Sequence, residues 1–315
     1  MPTQPAETRA QIFEQHRGLL FSIAYRMLGS VMEAEDMVQE AYLRYEKAQD
    51  KDVQCPKAYL TTIITRLCLD HLKSARIQRE NYVGMWLPEP VLTDSSPGAL
   101  LGEHESISIA FLVLLENLSP VERAIFLLRD VFEYSFTEIA RIVDKSEANC
   151  RRYYRRAKQF LLERRPRFEP STDEQKRLVE SFLQAMATGD VERLIQMLAE
   201  DVVFYGDGGG KVSAVRQPIT GREAVKRFLL LGIYRLLPPG VHIEVAQVNG
   251  SPALLLWGYD DHPYFVMTFT FAGNRIQAIH NILNPDKLTH IRHAGVQSAS
   301  APQNDSSAEA DDKAV

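Results

Sequence analysis

The stretch from Ser119 to Arg167 constrains this chain most. It marks three helix starts in short succession and then stacks arginines along the last helix. Ser119-Pro120-Val121-Glu122 is a capping box with proline at the first helical position, and Ser135-Phe136-Thr137-Glu138 is a second box. A short helix from Phe136 to Val143 leads through Asp144-Lys145 to Ser146, a third N-cap candidate. Beyond it Cys150, Tyr154, Ala157 and Leu161 recur at helical spacing as a buried stripe. Arg151, Arg152, Arg155 and Arg156 fall outside the stripe, with no partner expected beside them. Like charges at i,i+4 each destabilise an isolated helix by roughly 0.2–0.5 kcal/mol. A helix that stacks cations this way makes most sense facing a polyanion. The pattern therefore reads as a helix-turn-helix whose last helix meets DNA; a solvated charged face is the plainer alternative. Whether a given arginine holds a phosphate or reads guanine is not sorted by sequence.

The whole chain, 315 residues with a formal net charge of −5, is not globally basic, so the cationic patch is local. That length suits two or three domains. Cys55, Cys68 and Cys150 fit neither a disulfide framework nor a zinc pattern, and the latter two read as small buried hydrophobes. No apolar run approaches membrane-spanning length and the N-terminus lacks the signal-peptide pattern. The expectation is a cytoplasmic protein with no cofactor and no metal.

The first 80 residues read as all helix. Residues 8–28 are amphipathic and end at Gly29; Ser30-Val31-Met32-Glu33 reads as a capping box opening a helix to about Ala48. Its apolar face is Ala34, Met37, Val38, Ala41 and Tyr45, and its other face carries Asp36, Gln39 and Glu40, either solvated or turned to a partner. Pro56 starts a third helix to about Arg79 with a basic half of Arg66, Lys73, Arg76 and Arg79. From Tyr82 to Glu105 prolines and glycine forbid continuous helix, and Trp86 stands there as either a packing anchor or a functional residue.

After Pro170 the pattern changes. Residues 172–187 and 190–199 read as helices, Val202-Val203-Phe204-Tyr205 as a strand, and Thr220-Gly221-Arg222-Glu223 as the cap of a helix to about Leu236. Four strand-like runs follow (242–248, 253–259, 264–271 and 275–283), separated by turns at Asn249-Gly250, Asp260-Asp261 and Gly273-Asn274. The layout is α+β, a curved sheet with helices enclosing a cavity. The Ser, Ala and acid-rich tail from about 296 reads as disordered.

This organisation resembles the extracytoplasmic-function type of bacterial sigma factor. The run His71-Leu72-Lys73-Ser74-Ala75-Arg76 through Tyr82-Val83-Gly84-Met85-Trp86-Leu87-Pro88-Glu89-Pro90 resembles the SigJ-type group, which carries a fused SnoaL-like C-terminal domain. Asp207-Gly208-Gly209-Gly210-Lys211 and Asn284-Pro285-Asp286-Lys287-Leu288 support that placement, so the likeness spans all but the tail. It implies all-α sigma domains 2 (1–80) and 4 (106–168) joined by a linker (81–105). A SnoaL/NTF2-like cone-shaped domain (172–295) and a tail (296–315) follow. It further implies docking of Asp36, Gln39 and Glu40 on the β′ clamp helices of core RNA polymerase. Promoter contacts would come from Arg66, Lys73 and Arg76 at the −10 element and from Asn149, Arg151, Arg152, Arg155 and Arg156 at the −35 element. Family members commonly carry Asn where this chain has Arg66. Trp86, the glycine run Asp207–Lys211 and Asn284–Leu288 would form a regulatory contact between the C-terminal domain and the sigma core.

Two rivals differ in class. A one-component helix-turn-helix regulator with a ligand-binding C-terminal domain leaves the first 80 residues without a role and predicts a palindromic site. An enzyme of the cone fold would use an acid or base in the cavity, the candidates being Asp207, Trp257, Tyr259 and His280. No motif fixes such a constellation, and a histidine on a strand is more often a core residue. A small ligand in the cavity is open on sequence grounds.

Overall fold

The computed structural model describes residues 8–49, 53–93, 107–164, 170–233, 241–258 and 262–292. Tyr259, the far part of the linker and the tail lie outside them.

The chain begins with three helices, α1 (Arg9–Leu28), α2 (Val31–Lys47) and α3 (Pro56–Glu80). Thr8 and Gln11 form a reciprocal box at the start of α1, and Gly29 at φ 71° ends it in the left-handed region that glycine tolerates best. The start of α2 departs from expectation. Ser30 accepts from the Glu33 N–H at 3.1 Å, but Glu33 lies 3.2 Å from His71 Nε2 in place of returning to the cap. The second half of the cap comes from Glu89 of the linker. Its carboxylate accepts from Ser30 Oγ at 2.7 Å, Val31 N–H at 2.7 Å and Met32 N–H at 3.3 Å. A carboxylate here satisfies orphan donors and meets the positive end of the helix dipole.

Four more helices follow: α4 (Ile109–Glu116), α5 (Pro120–Asp130), α6 (Phe136–Val143) and α7 (Glu147–Arg164). Both capping boxes read from sequence form at α5 and α6, and Ser146 Oγ accepts from Asn149 N–H at the start of α7. A single apolar core runs through all seven helices, from Phe13 to Leu161. Within it α5 packs on α1 and α3, and α6 packs on α3. Arg123, buried on α5, donates to the carbonyl of Met27 at the end of α1 and pairs with Glu116 at 2.6 Å.

The C-terminal unit holds α8 (Thr172–Thr188), α9 (Val191–Met197), β1 (Leu198–Asp207), β2 (Ile219–Thr220) and α10 (Arg222–Phe228). A π-helical turn at Leu229–Ile233 and strands β3 (His242–Val248), β4 (Ser251–Trp257), β5 (Pro263–Ala272) and β6 (Arg275–Ile282) complete it. The sheet order is β2-β1-β6-β5-β4-β3, with β1 parallel to β6 and the other pairs antiparallel. Thr220 does not cap α10: it pairs with Val203 in the sheet, and Gly221 at φ 95° turns the chain into the helix. The second helix stops at Met197 because Leu198 already joins the sheet beside Ile276.

Alternation gives the sheet two faces. The face under α8 to α10 is filled by phenylalanines, Phe182 against Phe269 at 5.2 Å and Phe204 against Phe228 at 4.8 Å between ring centroids. The expected cavity between helices and sheet is thus occupied by aromatic packing. The outer face, with Val248, Leu255, Trp257, Val266 and Ile282, buries Leu87 of the linker and Leu288 and Ile291 of the chain that follows β6.

Removing the Glu89 carboxylate leaves buried donors at the start of α2 unsatisfied. Glu89→Ala is expected to cost about 2 kcal/mol, read as an earlier urea midpoint of the helical circular-dichroism signal. An unchanged midpoint would contradict the cap.

Candidate nucleic-acid interface and linker clamp

Helix α7 presents its arginines on one side because Cys150, Ala157 and Leu161 are buried on the other. The expectation of unpaired arginines holds only in part. Arg151 pairs with Glu147 at 2.5 Å and lies 4.6 Å from the Phe136 ring centroid, and Arg156 lies 3.4 Å from Glu122. Glu147 sits one turn before Arg151, the spacing at which such pairs form. Arg152 and Arg155 are exposed and form no ion pair among the described residues. Asn149 is half-buried in the first turn.

In the first helical unit Asp36 and Gln39 are exposed, while Glu40 pairs with Arg44 at 2.8 Å. Lys73 pairs with Asp70 at 2.7 Å on the exposed side of α3, and the Arg76 side chain lies outside the described ones. Arg66 is engaged elsewhere. Its guanidinium donates to the carbonyls of Ile142 and Arg141, both at 2.9 Å, at the C-terminal end of α6. A cation suits that end of a helix. Tyr134 and Thr61 share a hydrogen bond of 2.9 Å across the same junction.

The linker is gripped from both sides. Trp86 packs over Gly29, where an added Cβ would lie 2.7 Å from the ring. On its other side Lys287 Nζ stands 4.2 Å from the Trp86 ring centroid, a cation–π approach. Lys287 donates to the Leu87 carbonyl and pairs with Asp207 at 2.7 Å, both side chains being buried. The Asp207 carboxylate also accepts from Tyr82 Oη at 2.6 Å, the Leu87 N–H at 2.8 Å and the Gly209 N–H at 3.1 Å. Asn284 donates to Tyr82 Oη at 2.9 Å, and burial together with Asp207 pushes the Tyr82 phenol upward.

A second grip lies at the β3–β4 turn. Asn249, at φ 52° and buried, donates to Tyr25 Oη at 2.8 Å and to the Ile107 carbonyl at 3.1 Å, and accepts from the Val91 N–H at 2.9 Å. Leu92 forms a β-bridge to Val248, so the linker lies along edge strand β3. Tyr25 in turn donates to the Glu89 carbonyl at 2.6 Å, and His290 lies 2.6 Å from the Pro90 carbonyl.

The proposed regulatory contact is therefore narrower than its motifs. Lys211 and Asp286 pair with each other at 2.6 Å, exposed and within one domain. Gly208 crowds its own loop at Val212, Gly209 approaches Asn284, and Gly210 alone of the three meets the linker, at Val83. Pro285 opens a 3-10 turn (Pro285–Lys287), and Leu288 packs in the outer-face core with Leu87. Tyr25, Tyr82, Glu89, Asn249 and His290 were not foreseen. Asn249-Gly250 was legible as a turn, but nothing local indicates that its side chain enters another domain.

Of the candidates for chemistry, Asp207, Trp257 and His280 all lie on the outer face of the sheet. His280 stacks on Tyr205 at 5.2 Å, and burial pushes its imidazole down to about 4, leaving it neutral near pH 7. The structure does not assemble them in the helix-lined space.

Comparison with known proteins agrees with this architecture. Sigma-70 region 2 matches residues 12–77, Sigma-70 region 4 matches 108–161, and the SnoaL-like domain matches 179–281. The chain is 36% identical over 289 residues to the ECF RNA polymerase sigma factor SigJ of Mycobacterium tuberculosis, covering 88% of this chain and 92% of that protein. The chain belongs to the ECF RNA polymerase sigma factors. It is also 30% identical over 315 residues to the sigma factor SigG of Mycobacterium tuberculosis, covering 88% of this chain and 82% of that one. The crystal structure of Mycobacterium tuberculosis SigJ matches with a TM-score of 0.72 at 35% identity, covering 87% of this chain and 96% of that chain. This alternative sigma factor directs transcription initiation with core RNA polymerase at promoter DNA, and no described helix is long and apolar enough to cross a membrane.

Arg155, exposed and without an ion pair among the described residues, gives the cleanest test of α7. Arg155→Ala is expected to weaken promoter binding and to lower the log K against log salt slope by about 0.9. Unchanged affinity and slope would take that residue off the DNA.

Proposed function

We propose that the SnoaL-like domain restrains the sigma factor by clamping its linker while domains 2 and 4 are packed together. On this reading Asn149, Arg151, Arg152, Arg155 and Arg156 meet the −35 element, and Arg66, Lys73 and Arg76 the −10 element. Asp36, Gln39 and Glu40 face the β′ clamp helices. Two elements about two helical turns apart lie ~70 Å from one another on DNA. Here domains 2 and 4 share one apolar core, and Arg66 is held by carbonyls of α6. Engagement of both elements then requires the domains to separate.

The observation that carries the reading is the burial of Leu87 and its two hydrogen bonds, its N–H to Asp207 and its carbonyl to Lys287. The linker also supplies Trp86 to Gly29 and Glu89 to α2, so one segment fastens the SnoaL-like domain to domain 2. Anything that pulls the linker away exposes the Asp207–Lys287 pair and uncaps α2. Conversely, a closed clamp opposes the open form by its differential free energy alone.

Run-off transcription with core polymerase on a pool of genomic fragments, with 5′ ends sequenced, tests the sign. Lys287→Met is expected to raise the yield of factor-dependent transcripts several-fold, with Lys211→Ala near wild type. Equal or lower yield from Lys287→Met, with circular dichroism unchanged, would overturn the restraint.

A further inference from the structure

We propose that the cavity between domain 4 and the outer face of the SnoaL-like sheet is a small-molecule site, taking an uncharged fused-ring aromatic compound that forms one hydrogen bond with the His280 imidazole. The cavity measures about 860 Å³ and draws one wall from α4 and the end of α5, the other from β1, β5 and β6. Ligand sites of roughly 300–1,000 Å³ are typical. The site is on the opposite side of the sheet from the phenylalanine-filled space under the helices.

Its walls specify the chemistry. Phe111 and Phe132 line the domain 4 side, and Tyr205 lines the sheet side, stacked on His280. Between them Thr270 and Ala278, half-buried on neighbouring strands, form a flat floor of small side chains. A planar apolar body fits a flat floor flanked by aromatic walls. The polar point is His280, 3% exposed, which lines the cavity and whose imidazole forms no hydrogen bond among the described residues. Buried polar groups in proteins are almost always partnered, so an unpaired imidazole on a cavity wall is matched to a group from outside the chain. A neutral imidazole offers donor or acceptor according to tautomer. Of the charged residues on the walls, Asp130 is engaged by Tyr154 and Lys158, Arg164 lies beside Glu163, and Glu133 is exposed to solvent. A full charge on the ligand therefore has no buried, unengaged counter-ion among those groups.

Since both walls are needed, a bound molecule favours the packed arrangement over the separated one. That consequence rests on the clamp reading; the site itself does not.

The probe is N-phenyl-1-naphthylamine, an uncharged fluorescent aromatic amine with one N–H. Titrated into the full chain, it is expected to bind saturably at one site per chain. Ala278→Phe or Thr270→Phe, either of which fills the floor, is expected to abolish the signal with helix and sheet content unchanged. His280→Leu is expected to weaken binding roughly tenfold. No saturable binding, or binding indifferent to whichever filling variant folds, would overturn the site. If the dye fails to bind while Lys287→Met still raises transcription, this proposal falls and the clamp stands. If the dye binds as expected while Lys287→Met changes nothing in transcription, the site stands and the clamp falls.

Discussion

The Lys287–Asp207 pair is the contact on which the arrangement of this sigma factor turns. Both side chains are withdrawn from water, 7% and 0% exposed. Desolvating two ions is costly by several kcal/mol each unless further hydrogen bonds complete the site. Much of that completion comes from the linker: the Leu87 N–H and carbonyl, the Tyr82 hydroxyl and the face of Trp86. A pair satisfied largely by another segment is a pair that resists separation from it. The glycines after Asp207 let the chain turn close enough for the Gly209 N–H to join, at a φ of 61°.

The linker then passes the constraint to domain 2. Trp86 covers the glycine that ends α1, and Glu89 caps the helix that follows. The same short segment runs along β3 and meets Asn249, whose side chain reaches Tyr25 of α1. Domain 4 is held by a different set, Arg66 on the α6 carbonyls and Arg123 on the end of α1. Neither set contains the exposed arginines Arg152 and Arg155 of α7, which remain on the surface in the packed form.

Much of this fold was legible because its helices start on local chemistry. The boxes at Ser119 and Ser135 each close within four residues, and the late strands are set apart by the turns at Asn249-Gly250 and Gly273-Asn274. What escaped were contacts whose two halves lie far apart. Glu89 caps a helix some sixty positions earlier in the chain, and its role is invisible without the fold. Thr220 has the spacing of a capping box, yet sheet pairing with Val203 outweighs that local preference. In the candidate site, the motif around Asp207 was found by resemblance, whereas its partition into buried Asp207 and exposed Lys211 required side-chain burial. His280 was visible as an oddity on a strand; its cavity on the outer face was not.

The central claim is that the C-terminal domain keeps domains 2 and 4 together. The direct measurement is the distance distribution between spin labels at Glu46 on α2 and Lys145 after α6, with Cys55→Ser to remove the exposed thiol. It would be taken in the full chain with and without Lys287→Met. A single narrow distance in the parent chain that broadens to longer values in Lys287→Met is the predicted result. The same narrow distance in both would contradict the account.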